Sequence, residues 1–212
     1  MKHTLIILAN SRKLTHRCIA GIDITTGKWV RPVSDQHDKV ITWEMRNVNG
    51  QEPELLDILS IPLLSTKLDD ESQPENQLLG TGKWIRLGKA KPEDVRKYLE
   101  RSGPIFYNMS DRVSWDEIQK RARDGRKSLV LIECTNLKSY RTTSSRGKAQ
   151  ARSRFSFDRT TYDLAITDYD VEQRVLRDEE ISPKCLLTIS LAGKLSNTHP
   201  YCYKLVAGVI EL

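Results

Sequence analysis

Five apolar runs in the second half of the chain, with one helical pattern among them, constrain the fold more than any other feature. The runs are short and rich in Ile, Val, Leu and Tyr, which is typical of strands. They cover residues 128–135, 152–158, 162–168, 184–191 and 201–211. Between the third and the fourth, Val171, Val175 and Leu176 share one face of a helix predicted over 170–180. The predicted order is therefore β-β-β-α-β-β.

This is the strand order of the OB fold, a small Greek-key barrel. Oligonucleotides and oligosaccharides bind such barrels across strands 2 and 3 and through the loops after strands 1 and 4. The first half of the chain also indicates strands, at 4–9 and 18–24, on either side of a polar basic loop predicted at 10–17. We therefore predict a mainly β fold with a few helices (α+β), built as two tandem OB-like Greek-key barrels.

Between the two strand-rich halves, the sequence indicates helices. Pro92 followed by two acids is typical of a first helical turn, and Ser114 with Glu117 has capping-box spacing. These patterns predict helices over 92–101 and 115–123. The predicted parts are an N-terminal OB-like barrel at 1–90, a helical connector at 91–126 and a C-terminal OB-like barrel at 127–212.

Positive charge is concentrated between Lys138 and Arg159. This window holds seven cations and one acid, a net charge of +6, which equals the formal net charge of the whole chain. So dense a local charge indicates a polyanionic partner, although a solvated loop without a ligand is the alternative. The window falls in the predicted loop after strand 1 and in strand 2 of the second barrel, where OB folds bind their ligands. The predicted contacts are Arg141, Arg146, Lys148, Arg152 and Arg154.

Aromatic residues in and after this window divide into two predicted classes. Strand alternation puts Arg154 on one face and Phe155 and Phe157 on the other, so the two phenylalanines are predicted to lie in the core. Tyr140 and Tyr162 are the predicted candidates for stacking on bases.

Three segments of the chain resemble a known family. They are LANSRKLTHRCIAGIDITTGKWVRPVS at 8–34, YDLAITD at 162–168 and YKLVAGVIEL at 203–212. They are similar to the dual OB-fold family of prokaryotic proteins, which occur alone or fused to other domains in genome-conflict and defence settings. The resemblance implies two OB units in tandem and a nucleic-acid or nucleotide ligand, and it implies no reaction. Its N-terminal signature contains Ser11, Arg12, Lys13, Arg17, Trp29 and Arg31, of which Arg12, Lys13, Arg17 and Arg31 are predicted to contact the ligand.

Several function classes find no support in the sequence. It contains no phosphate-binding loop, dinucleotide fingerprint, nucleophile elbow or zinc-protease motif, and its four cysteines lack metal-ligand spacing. We predict no catalytic residue, metal site or cofactor, and an enzyme is the less favoured class. No apolar run approaches the roughly 20 residues that cross a bilayer, so we predict no membrane partner and a cytoplasmic location.

Three functions are consistent with these patterns. The leading hypothesis is a protein that binds nucleic acid, with single-stranded DNA or RNA favoured, through backbone charge. The first alternative is a sensor that binds a nucleotide or modified base between the two barrels. The second is an interaction module whose basic loop docks an acidic protein partner, and here the acidic segment 51–76 could serve as the partner in a second copy. The sequence does not determine the oligomeric state.

Overall fold

The computed structural model describes residues 1–68, 72–121, 125–144, 147–194, 196 and 198–212, apart from the side chains at 37, 66 and 67. The chain divides into two compact units. One unit is Met1–Asp70 with Glu75–Tyr98, and the other is Glu71–Pro74 with Leu99–Leu212. This division falls inside the predicted connector at 91–126, and the predicted domain boundaries stay a prediction. Within the described ranges, no helix is both long enough and apolar enough to cross a lipid bilayer.

The first unit is a closed five-stranded barrel with one added strand. Its strands are β1 (Lys2–Lys13), β2 (His16–Asp23), β3 (Trp29–Val33), β4 (Asp57–Lys67), β5 (Asn76–Leu79) and β6 (Ile85–Lys89), and its helices are α1 (Trp43–Arg46) and α2 (Pro92–Val95). The order is β1-β2-β3-β5-β4, and β4 returns to pair with β1, while β6 adds to the other side of β4. β3 and β5 run parallel and the other neighbours antiparallel. With α1 between β3 and β4, this is an OB-type barrel.

The polar segment 10–17 is a hairpin, and the prediction of a loop there was wrong. β1 continues to Lys13 and β2 begins at His16, so that only Leu14 and Thr15 lie between them. Leu14 takes a positive φ of 55° at this turn, a conformation that sequence patterns usually assign to glycine. The basic side chains suggested a loop, but their backbone groups continue the ladder.

Close approach of β1 and β2 depends on a glycine. A side chain at Gly21 would place its Cβ 2.3 Å from the carbonyl oxygen of Ile6 on the facing strand. The barrel core lies beneath these strands, and Leu5, Ile7, Ile19 and Leu59 are fully buried in it. The apolar runs of the first half therefore form the wall and the interior of one barrel.

The second unit contains the predicted order of five strands and one helix, together with two further strands and one further helix. Its strands are β7 (Arg112–Ser114), β8 (Leu129–Cys134), β9 (Lys138–Thr143), β10 (Ala149–Phe157), β11 (Thr160–Ile166), β12 (Cys185–Leu191) and β13 (Tyr201–Glu211), and its helices are α3 (Trp115–Gln119) and α4 (Tyr169–Leu176). The sheet order is β8-β12-β13-β11-β10-β9, and β11 runs parallel to β13. β8 and β9 lie at the two ends of this sheet, only three residues apart in the chain. They are the two halves of one bent first strand.

The predicted fold class is confirmed: the chain is mainly β with a few short helices, arranged as two OB-type units. The helices of the predicted connector are shorter than expected. Ser114 caps α3, accepting a hydrogen bond from the backbone N–H of Glu117 at 3.2 Å. After α2 and a 3-10 turn at Arg96–Tyr98, the N–H of Glu100 donates to the carbonyl of Leu131 at 2.8 Å. The helical segment ends here because Leu99 pairs with Leu131 of β8.

Candidate functional site

The strand β10 presents a polar outer face and an apolar inner face. Phe155 and Phe157 are 1% and 8% exposed, which confirms that they belong to the core. Arg152 and Arg154 alternate with them and point outward. The prediction of Tyr162 as a stacking platform was wrong, because its ring is buried against Phe155 at a centroid distance of 5.9 Å. The three aromatic side chains therefore belong to the core of the second unit, and the two arginines lie on its outer surface.

Strand register brings further predicted residues onto the same outer face. Tyr140 on β9 lies opposite Arg152, and Lys138 lies opposite Arg154. On the other side of β10, Asp163 of β11 lies opposite Arg154. We call Lys138, Tyr140, Arg152, Arg154 and Asp163 the outer-face cluster. It carries three cations and one carboxylate within three adjacent strands.

Asp163 is the centre of the outer-face cluster. Its carboxylate accepts hydrogen bonds from the Tyr140 hydroxyl at 2.6 Å, from Arg152 Nε at 2.8 Å and from Arg154 Nη2 at 3.1 Å. Its carbonyl also accepts from Arg152 Nη2 at 2.6 Å. Bonds to both the carboxylate and the carbonyl of one residue hold the Arg152 guanidinium in a fixed orientation. Arg154 binds a single carboxylate oxygen through Nε and Nη2, and its side chain remains 63% exposed.

The protonation states of the cluster follow from these contacts. Burial alone would raise the pKa of the Asp163 carboxyl, but the hydrogen bonds from Tyr140 and Arg152 and the arginine charge outweigh it, so the pKa lies below its usual value. Burial and the hydrogen bond to Asp163 raise the pKa of the Tyr140 hydroxyl. At neutral pH the carboxylate is therefore ionised and the tyrosine remains a donor.

Two other cations of the basic window lie outside the outer-face cluster. Arg141 points to the opposite side of β9, where its Nη1 donates to the carbonyl of Leu176 at the C-terminal end of α4, at 3.3 Å. A cation at this end of a helix is favourable, so Arg141 has a structural use. Lys148 is exposed beside the turn that joins β9 to β10. Arg146 lies outside the described residues.

Predicted contacts in the first unit have different environments. Arg12 is exposed and Lys13 half-buried at the end of the β1–β2 hairpin. Arg17 is 14% exposed at its side chain, with Nε 3.5 Å from Glu52 Oε1. Arg31 is 1% exposed, and its Nη1 donates to Asn76 Oδ1 on the neighbouring strand at 3.2 Å. This burial is a correction to the prediction for Arg31, because β3 is covered on both faces and its guanidinium lies inside the unit.

A cavity of about 300 Å³ opens beside the outer-face cluster. Arg152 and Asp163 line it together with residues outside the predicted contacts, among them Asp111, Gln150, Ala165, Tyr203 and Leu205. These residues come from the segment before β7 and from β10, β11 and β13. No local pattern joins them, and the parallel pairing of β11 with β13 is what brings them together.

Tyr203 is held on the cavity wall by an arginine. The Arg112 guanidinium lies 4.9 Å from the ring centroid of Tyr201 and 5.8 Å from that of Tyr203. Its Nη1 also donates to the Tyr203 hydroxyl at 3.4 Å. The pairing of β7 with β13 places these three side chains together. The arrangement gives the cavity one braced aromatic wall.

Comparison with known proteins gives a family and no close relative. No curated protein matches the chain significantly. Among solved structures, the tetrameric p202 HIN2 is 8% identical over 100% of this chain and 96% of that chain, with a TM-score of 0.33. The p204 HINb domain is 10% identical over 99% of this chain and 98% of that chain, with a TM-score of 0.36. Similarities this weak carry no argument about the ligand.

The family match covers nearly the whole chain. The profile of the dual OB-containing domain, DuOB, matches residues 3–209. This range includes both units, and each unit has the strand order of an OB barrel. The chain belongs to the dual OB-containing domain family.

Proposed function

We propose that this protein binds nucleic acid, with single-stranded DNA or RNA favoured, on the outer face of β9, β10 and β11. The observation that carries the proposal is the outer-face cluster, which puts three cations and an accessible tyrosine on the strands where OB folds bind oligonucleotides. A cytoplasmic location, which the apolar pattern of the sequence predicts, and a prokaryotic defence setting, which the sequence resemblance implies, belong to the same proposal.

The cluster supports contacts to phosphate. Arginine meets phosphate oxygens with paired hydrogen bonds, and Arg154 is largely exposed while Asp163 holds it at one edge. Lys138 is exposed on the neighbouring strand, and Lys148 is exposed where the hairpin turns. A phosphate backbone that follows the hairpin could meet all three side chains.

The cluster also supports contacts to unpaired bases. Tyr140 is 36% exposed, and its hydroxyl donates to Asp163. A base that stacks on an aromatic ring contributes roughly 1–3 kcal/mol, and only an unpaired base offers its full face. Three strands spaced about 4.8 Å apart make a strip that suits one nucleic-acid strand.

The salt dependence of binding tests the proposal. Fluorescence anisotropy with a labelled thymidine dodecamer, repeated between 50 and 300 mM NaCl, should give a log–log slope near −3, because about four phosphate contacts contribute roughly 0.7 each. Replacing Lys138, Lys148 and Arg154 together with Ala should flatten the slope by about 2. An unchanged slope in this triple variant contradicts the proposal.

Matched controls separate this face from general basicity. Lys28, Lys83 and Lys91 are exposed cations of the first unit, and their triple Ala variant changes the net charge equally. It should leave the slope within about 0.5 of wild type. A separate Arg12→Ala/Lys13→Ala variant tests the predicted contacts on the first hairpin. A polyglutamate peptide that binds as tightly as the oligonucleotide would favour an acidic protein partner instead.

A further inference from the structure

The cavity beside the outer-face cluster combines an apolar interior with polar groups at two places on its wall. Tyr203, Leu205 and Ala165 supply the apolar surface. Arg152 and Gln150 supply hydrogen-bond donors, and Asp111 supplies a carboxylate. Lys204 also lines the cavity, but its ammonium group donates to the carbonyl oxygen and to Oδ1 of Asn108. At about 300 Å³ the cavity is at the small end of the range for ligand pockets, which suits one aromatic ring system and part of a sugar.

We propose that this cavity receives one unpaired nucleobase of the bound strand, and that guanine is the base it fits best. The inference rests on the proposed function, to which it adds recognition of a base. The backbone of the strand would lie on the outer-face cluster, and one base would turn from it into the cavity.

One side of the cavity carries N–H donors that can bind acceptor atoms of a nucleobase. Gln150 Oε1 accepts from Arg152 Nη1 at 3.4 Å, which leaves the Gln150 amide Nε2 directed elsewhere. Among the described residues, Nε2 donates to no protein acceptor. Arg152 is fixed by Asp163, and a guanidinium carries five N–H donors, more than its contacts with Asp163 and Gln150 use. Guanine offers the adjacent acceptors O6 and N7 to such donors.

The acceptor side of the cavity is Asp111. The carboxylate of Asp163 already accepts from Tyr140, Arg152 and Arg154, so it has little remaining capacity. Asp111 is 45% exposed at its side chain, and its Oδ1 accepts from Ser110 Oγ at 3.2 Å and lies 3.9 Å from Arg112 Nε, so Oδ2 is the oxygen with the most remaining capacity. A carboxylate can accept two parallel hydrogen bonds, and guanine has two adjacent donors, N1–H and the N2 amino group. This match to two donors favours guanine over the other bases.

The aromatic wall supports the same ligand. Tyr203 is half-buried and braced by Arg112, so that its ring is held in place before a ligand arrives. Stacking on a braced ring costs little side-chain entropy. A purine presents a larger face to this ring than a pyrimidine does.

Three oligonucleotides test the inference with full-length protein. They are a thymidine undecamer, the same strand with one central deoxyguanosine, and the same strand with one central deoxyinosine, whose base lacks the N2 amino group. Wild-type protein should bind the guanosine strand about 10-fold more tightly than the thymidine strand, with the inosine strand between them. In Asp111→Asn the guanosine-to-inosine ratio should fall below about twofold, because the amide can no longer accept both donors.

The controls isolate base recognition from charge and folding. Asp170→Asn removes one exposed acid from the same unit and should leave all three ratios unchanged. Tyr203→Leu should lower the affinity for the guanosine strand more than for the thymidine strand. Thermal unfolding of each variant checks that the fold is retained, and Asp111→Asn alone decides the question if Tyr203→Leu is destabilised.

The outcomes of these measurements separate failure of the base pocket from failure of the proposed function. Equal affinity of wild-type protein for the three strands, with a normal salt slope, overturns the base pocket and leaves the proposed function standing. A guanosine preference that survives Asp111→Asn also overturns the pocket as assigned. Absence of binding to all three strands overturns the proposed function and the inference together.

Discussion

The two units place basic hairpins at the same point of the OB fold and give the cations different partners. In the first unit, Arg17 on the β1–β2 hairpin is 14% exposed and paired with Glu52. In the second unit, Arg154 on the β9–β10 hairpin is 63% exposed and shares Asp163 with two other side chains. Position in the fold is therefore insufficient to make a ligand surface, and the partner of each cation decides whether it is available.

The units also differ in their buried carboxylates. Asp23 in the first unit bonds His3 at 2.7 Å and accepts from the N–H groups of Thr25 and Thr26. Burial raises its pKa, but these bonds outweigh that effect and hold the pKa below its usual value. In the second unit, burial raises the pKa of Asp168 to about 6, although its carboxylate accepts from the N–H groups of Val171 and Val209. The two acids should therefore respond to pH with opposite sign.

The largest effect that we predict concerns Asp168. Its folded pKa of about 6 exceeds an unfolded value near 3.9, so between about pH 4 and pH 6 the folded state holds a proton that the unfolded state releases. The ionisation of Asp168 therefore lowers the free energy of unfolding as pH rises through this window, by about 3 kcal/mol at 1.36 kcal/mol per pKa unit. In Asp168→Asn this loss should disappear. Urea unfolding at pH 4, 5, 6 and 7 measures it.

Other acids titrate in the same window, so the result is the difference between wild type and variant. Glu180 is an exposed acid of the same unit, so Glu180→Gln is the control and should follow the wild-type curve within about 0.5 kcal/mol. Parallel curves for wild type and Asp168→Asn would show that the buried carboxyl titrates normally, and the contrast with Asp23 would then be lost.

The second prediction concerns Arg31, whose burial sets it apart from the cations of the outer-face cluster. Arg31→Ala removes the donor to Asn76 Oδ1 and leaves a buried acceptor and a void. The free energy of unfolding should fall by about 1–3 kcal/mol, while the salt slope for the oligonucleotide stays that of wild type. Chemical denaturation and anisotropy measure the two effects. Arg154→Ala should give the opposite pattern, and a loss of binding in folded Arg31→Ala would restore Arg31 to the ligand site.

The strands of the second unit were predicted more accurately from the sequence than those of the first. In 128–211, apolar runs and a single helical pattern coincide with five strands and with α4, because each of these strands has a buried face. The predicted loop after strand 1 was wrong at Lys138–Thr143, which forms β9 with largely exposed side chains and therefore shows no apolar run. In 10–17, burial and polarity conflict: Asn10 and Ser11 are polar and yet buried, so their pattern indicated a loop. Alternation in β10 correctly separated Phe155 from Arg154.

The site was less predictable than the fold. Local charge density located the hairpin of the outer-face cluster, but the role of Asp163 depends on register between β10 and β11. The environment of Arg31 depends on its pairing partner β5, which follows some 45 residues later in the chain. The cavity combines Asp111, Gln150 and Tyr203, and only tertiary structure joins segments so distant in sequence.

The third prediction tests whether Asp163 competes with phosphate. Asp163→Asn removes the negative charge at the centre of the cluster and weakens its hold on Arg152 and Arg154. Affinity for the thymidine dodecamer at 100 mM NaCl should rise about three- to tenfold, with a salt slope steeper by roughly 0.7. Anisotropy titrations measure both quantities, with Asp170→Asn as the charge-matched control. Weaker binding would show that Asp163 serves mainly to position the arginines.

The smallest effect should come from the corresponding change on the first hairpin. Glu52 Oε1 accepts from Arg46 Nε at 2.5 Å and lies 3.5 Å from Arg17 Nε, and Glu52→Gln removes the same unit of negative charge as Asp163→Asn. Arg46 is buried, but glutamine keeps an oxygen that can accept from Arg46 Nε, so the free energy of unfolding should fall by only about 1 kcal/mol. Oligonucleotide affinity should change less than twofold, because Arg17 remains largely covered. If Glu52→Gln raised affinity as much as Asp163→Asn, both hairpins would contact the ligand, and the distinction between the two units would fail.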